Sequence, residues 1–123
     1  GKDEKISAEV AALRQRQPLV VYDEIDAHVG GEAAAAVARL LKRIGHFRQV
    51  LAITHSPVVA AAADRHLVVK KDKGTSSTRP KSSVTEVVGA AREVEIARMA
   101  TGRLDTDAGE TLAKSLLSLN FDG

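Results

Sequence analysis

Leu19-Val20-Val21-Tyr22-Asp23-Glu24-Ile25-Asp26 runs four largely apolar residues straight into acidic ones, with Pro18 before it and Gly30-Gly31 after. A short continuous apolar run between a proline and a turn predicts a strand buried on both faces. Carboxylates at the carboxyl end of such a strand stand where open α/β sheets hold their ligands. Burying charge is costly unless a cation or hydrogen-bond donors meet it. Asp23 and Glu24 therefore call for a partner such as magnesium, or else form a solvated acidic turn; this stretch alone leaves both open.

On the amino-terminal side, Ile6, Val10 and Leu13 recur at helical spacing over residues 4–17, and Pro18 ends that helix. On the other side, Glu32 to Gly45 predicts a helix with Val37, Leu40, Leu41 and Ile44 in one apolar stripe and Gly45 as its stop. Gln49 to Thr54 reads as a second buried strand ending at His55. Ser56 and Pro57 open a short helix running to about Ala63, and His66 to Lys70 is a third strand. Strand, helix, strand, helix, strand implies parallel pairing through right-handed crossovers. The expected fold is α/β, a mostly parallel sheet with flanking helices, and its ligand-facing rim carries Asp23, Glu24 and His55 together.

Beyond Lys70 the character changes. Residues 72–83 predict a mobile loop; from Lys70 to Lys81 there are five Lys/Arg against one Asp. A solvated loop is the favoured reading there over a contact with DNA phosphates. Ser83 to Val88 predicts a strand pairing with 66–70. Ala90 to Ala100 predicts a helix turning Val94, Ile96, Ala97 and Met99 inward and closed by Gly102. Asp107 and Glu110 have the spacing of a capping box before a last helix with Leu112, Leu116, Leu117 and Leu119. His46 and His66 read as surface residues. The expected organisation is one domain over 1–123, with a lead-in helix (1–17), a core (18–71), the loop (72–83) and a carboxyl-terminal strand and helices (84–123).

The chain of 123 residues, 44% hydrophobic and 28% charged, suits one compact domain. Tyr22, Phe47 and Phe121 are the only aromatics, which argues against a platform for stacking unpaired bases. A net charge of +2 does not by itself demand a polyanion, and without cysteine there is no thiolate metal site and no disulfide. No apolar run reaches membrane-spanning length. The start at Gly1-Lys2-Asp3-Glu4-Lys5 reads as abrupt, as if cut from a longer protein.

The chemistry follows from the rim. An aspartate ending a strand can hold magnesium, usually through water, while the metal clamps nucleotide phosphates. The next carboxylate, Glu24, points away by strand alternation and is free to orient or deprotonate an attacking water. A histidine on the neighbouring strand, His55, can donate to a terminal phosphate. His28, His46 and His66 lack the spacing of a zinc site, and no serine sits in a glycine elbow. No G-x-x-x-x-G-K-S/T phosphate cradle occurs either. The chain is thus expected to supply half of a nucleotide site.

Leu19 to Glu24 resembles the Walker B strand of ABC-type ATPases. Ile25 to Gly31 (IDAHVGG) resembles the D-loop of their SMC-like group, and Ile53 to Pro57 (ITHSP) the switch-histidine loop. With the later Glu95-Ile96-Ala97-Arg98-Met99, the order is most similar to the carboxyl-terminal head segment of the RecN family of bacterial DNA-repair proteins, over roughly residues 18–118. The resemblance implies roles by position. Asp23 would coordinate Mg2+ through water, Glu24 would be the general base, His55 would contact the γ-phosphate, and Asp26 would act across a head-to-head dimer. It also implies ATP as ligand, with an N-terminal lobe of the same head, a second head in an ATP-sandwiched homodimer, and DNA as partners. No membrane partner is implied, and the location would be cytoplasmic or nucleoid-associated in a bacterium, with an organelle as the alternative. Walker A, the Q-loop, the coiled coil and the signature motif are not in the sequence, so the chain alone is expected to be inactive as an ATPase. Two alternatives stand beside this reading: a half-head of an ABC transporter or other ABC ATPase, and a non-catalytic interaction module that retains the fold.

Overall fold

The computed structural model describes residues 8, 19–23, 31–102 and 107–121. Strand β1 (Val20–Asp23) is followed by α1 (Gly31–Gly45), β2 (Val50–Ile53), α2 (Pro57–Ala62), β3 (His66–Asp72), β4 (Lys81–Val87), α3 (Gly89–Thr101) and α4 (Asp107–Leu117). The helix expected over 4–17 lies outside the described residues apart from Ala8.

Strands β1 and β2 pair in parallel, Val20 opposite Val50 and Asp23 opposite Ile53. The expectation that β3 extends this sheet is corrected: β3 pairs antiparallel with β4, His66 opposite Val87 and Asp72 opposite Lys81. The described strands thus form two two-stranded sheets, one parallel and one antiparallel, rather than a mostly parallel sheet. The reason is local. A turn-forming segment rich in Gly, Ser and Thr lets β3 fold back on its sequence neighbour, and such closure needs no crossover. The expected loop accordingly narrows to residues 73–80.

Helix α1 carries Glu32 in its first turn and Lys42 and Arg43 in its last, charges that complement its dipole. Its buried face is Ala34, Ala38 and Leu41 rather than the longer aliphatic stripe, and Leu40 is 51% exposed. Small alanines let α1 approach α2 closely. Short α2 is the hub: Val59 and Ala62 join Ala38, Leu41 and Phe121 in one cluster, against which Tyr22, Val50 and Ala52 of the parallel sheet pack. Its Ala60 and Ala61 join Ile96, Ala97 and Ala113 in a second cluster. Helix α3 ends at Gly102, whose φ of 74° is the left-handed conformation, with its N–H donating to Arg98 O at 2.7 Å. Val94, expected inward, is 47% exposed; Ile96 and Ala97 carry the packing of α3. Leu112 and Leu119 of the last segment are also exposed, and Ala113 is buried instead.

Candidate functional site

The parallel register decides the geometry of the rim. Because Asp23 stands opposite Ile53, the carboxylate and the Thr54-His55-Ser56 turn share the carboxyl end of the two strands. Side chains alternate along both strands: Val20, Tyr22, Val50 and Ala52 are half-buried, whereas Val21, Asp23, Leu51 and Ile53 are exposed. Tyr22, Val50 and Ala52 point to the helices, so Asp23 belongs to the opposite face. The expectation of a strand buried on both faces is therefore corrected, with Val21 53% and Ile53 47% exposed. No described element covers that face, and the acidic end of β1 opens onto the same side.

His55 is exposed and its position is fixed from both flanks. Ser56 N–H donates to Thr54 Oγ1 at 2.9 Å, closing a tight turn around it. Ser56 then caps α2: its Oγ accepts from Val59 N–H at 3.3 Å, and Pro57 occupies the first turn, where its missing N–H is not needed. Ser56 thus has a structural part to play.

The far end of α2 is held by two cations that the sequence did not single out. Arg92 of α3 donates from Nη2 to three carbonyls, Ala60 O at 3.1 Å, Ala61 O at 3.3 Å and Ala63 O at 2.7 Å. Lys42 of α1 donates to Ala62 O at 3.2 Å and pairs with Asp64 at 2.6 Å. These carbonyls belong to the last turn, where a helix leaves most without partners; Ala60 O also accepts from Ala63 N–H at 3.3 Å. An arginine and a lysine at helical positions read as surface charge; only the packing of α1 and α3 against α2 turns them inward. A cleft of about 320 Å³ lies beside them, bordered by Asp64, Leu117 and Asn120, at the end of α2 remote from His55.

His66, expected at the surface, is buried, with Arg92 and Glu95 of α3 close enough to act on its charge. Desolvation first, and Arg92 second, hold its imidazole below the usual histidine range, against a smaller opposing pull from Glu95. His46 is exposed as expected. Glu24, Asp26 and His28 lie outside the described residues.

Among the described residues, no group of three or more His, Cys, Asp or Glu could hold a metal by itself. A single oxygen donor at an open rim fits magnesium, which keeps its waters and takes phosphate oxygens as its remaining ligands, better than it fits a caged ion. No described helix is long and apolar enough to cross a membrane.

Three relatives are similar to the chain in sequence. The DNA repair protein RecN of Rickettsia prowazekii is 41% identical to the chain over 101 residues, 82% of the chain and 18% of the relative. That of Streptomyces coelicolor is 42% identical over 100 residues, 81% and 17%. That of Treponema pallidum is 43% identical over 94 residues, 76% and 16%. The chain spans about a sixth of the length of these relatives. No protein-family model matches it.

Proposed function

The chain is homologous to one segment of the DNA repair protein RecN, and from that premise we propose that it forms the carboxyl-terminal half of an SMC-like ATPase head serving DNA double-strand-break repair. It would contribute the Walker B strand, D-loop and switch histidine to an ATP site whose phosphate loop comes from an N-terminal lobe. The observation that carries this reading is the in-register parallel pairing of β1 with β2, which leaves Asp23 and the His55 turn at one rim.

In this reading Asp23 is the magnesium ligand, through water; when bound, the ion neutralises phosphate charge and orients the triphosphate. Glu24 accepts the proton of the attacking water. His55, clamped between Thr54 and Ser56, donates to the γ-phosphate as charge shifts there. Asp26 acts on the site across the dimer of heads. The chain alone hydrolyses no ATP.

The open face of the parallel pair supports the two-lobe reading. Parallel strands are stable almost only with both faces covered, yet Val21, Leu51 and Ile53 are exposed. We assign their cover to the N-terminal lobe. The test is ATP hydrolysis by the complete protein. Glu24→Gln removes the base but keeps the shape, and turnover should fall on the order of 100-fold or more. Unchanged hydrolysis would refute the assignment.

A further inference from the structure

Outside the rim, the most unusual surface is the distal half of the β3–β4 hairpin. Lys70, Lys71, Lys73, Arg79 and Lys81 converge there with Asp72 as the lone carboxylate, and all six are exposed. We propose that this end of the hairpin is a contact arm for the phosphate backbone of duplex DNA.

Clustering sets it apart. Elsewhere among the described residues Lys42 pairs with Asp64, Arg65 with Glu86, Arg98 with Glu95 and Lys114 with Glu110, while Arg39, Arg43 and Arg48 on and just after α1 make no ion pair. On the distal hairpin, the side chains of Lys71, Lys73, Arg79 and Lys81 make no hydrogen bond or ion pair among the described residues. Asp72 does not neutralise them by contact, because its Oδ1 accepts from Gly74 N–H at 2.9 Å to shape the turn.

The turn is also built rather than loose. Thr75 N–H donates to Thr78 Oγ1 at 2.8 Å, and Thr75 and Thr78 exchange backbone hydrogen bonds at 3.2 Å. Gly74 has φ +74°, and a Cβ there would meet Thr78 O at 2.5 Å, so this compact path admits only glycine. A fixed backbone presents the cations together and lowers the entropy lost when they engage phosphates.

The composition selects the ligand. Thr75, Ser76, Ser77, Thr78, Ser82 and Ser83 add hydroxyl donors, and the hairpin carries no Phe, Tyr or Trp. Hydroxyls and cations without rings fit phosphate oxygens on a duplex, not splayed bases. The contact is therefore independent of sequence. Exposed Val69 and Val84 lie opposite each other farther back on the hairpin, so the cations, not the aliphatic pair, would reach a partner first, which favours DNA over an acidic bilayer.

This assignment rests on the DNA-repair reading for its choice of polyanion, and its test is separable from the ATPase test. The chain is titrated with a fluorescein-labelled duplex of roughly two helical turns, about 20 base pairs, and anisotropy is read across a salt series. Wild type should bind at low salt. The triple variant Lys71→Gln, Lys73→Gln, Arg79→Gln should bind more weakly and lose up to about three units of the log–log salt slope, roughly one per phosphate contact removed. The loss should be equal for unrelated sequences. Arg65→Gln, at the base of the hairpin and paired with Glu86, should leave the slope unchanged. The proposal falls if wild type does not bind, if the triple variant keeps its slope, or if Arg65→Gln lowers it as much per charge. It also falls if the triple variant loses binding to phosphatidylserine vesicles but not to the duplex. Failure here, with Glu24→Gln still silencing the complete protein, removes the hairpin's role and leaves the ATPase reading standing.

Discussion

Replacing Arg92 with leucine tests whether α2, and through it the His55 turn, is held from behind. One guanidinium nitrogen serves three carbonyls, with only the contact to Ala63 O short, at 2.7 Å. A charge-assisted hydrogen bond contributes about 1.5–3 kcal/mol net, and three acceptors sharing one nitrogen do not triple that. A cation at a helix carboxyl terminus adds about 0.3–1 kcal/mol. One feature works the other way: Arg92 Nε is buried without a partner. Relieving it returns roughly 1 kcal/mol, so the expected net loss is about 2 kcal/mol.

Leucine keeps the aliphatic packing, so the loss reports the guanidinium rather than a cavity. Urea unfolding of the chain, followed by far-ultraviolet circular dichroism, should show a lower midpoint with unchanged slope. Arg92→Lys should recover less than half of the loss, because a compact ammonium cannot span the three carbonyls. In the complete protein the same change should weaken nucleotide hydrolysis indirectly, since α2 begins two residues after His55. A midpoint within experimental scatter of wild type would refute the clamp.

Other outcomes follow from the same contacts. His66 is buried with its pKa lowered, so the unfolded chain binds the extra proton first; stability is full above the unfolded value of about 6.5 and declines as pH falls below it. His66→Leu should flatten that decline in urea midpoints measured from pH 8 to 5; an unaltered profile would assign the pH dependence elsewhere. Gly74→Ala forces a left-handed alanine against Thr78 O and should cost at least about 1–2 kcal/mol locally, read as faster amide exchange at Thr75 and Thr78. Val21→Thr with Ile53→Thr, both on the open sheet face, should change the chain's stability by no more than about 0.5 kcal/mol per site. The same pair should destabilise the complete protein clearly; equal tolerance in both settings would mean that nothing covers the face.

The parts legible in the sequence were those fixed by neighbours along the chain. The helix Gly31–Gly45 has its alanines, charged ends and stop within its own span. The His55 turn carries its cap and proline in consecutive residues. Strand β4 and its pairing with β3 followed from two short runs around a turn-rich segment. What could not be read depends on which layer meets which. An alternating strand does not say whether its next partner is the preceding β-segment or the following one, and β3 took the nearer choice. The imidazole of His66 looked solvated until the fold buried it near Arg92 and Glu95, and Arg92 looked like surface charge until α2 ended beside it.

The failed expectation about β1 and β2 is of another kind. Apolar residues at successive positions, Val20 with Val21 and Val50 with Leu51, specify two buried faces; the described residues bury only one. Sequence and structure then disagree over the half of the pattern that needs a second layer. Aliphatic exposure alone is ordinary on protein surfaces. Here, however, it falls on the face that also carries Asp23, beside a parallel pair that has no outer strands among the described elements. A covering layer would bury Val21 and Ile53 and would also lower the dielectric around the carboxylate, strengthening any interaction it makes with a cation. Completing the fold and completing the site would on this account be one event, and the two variants on the open face should fail in both respects together.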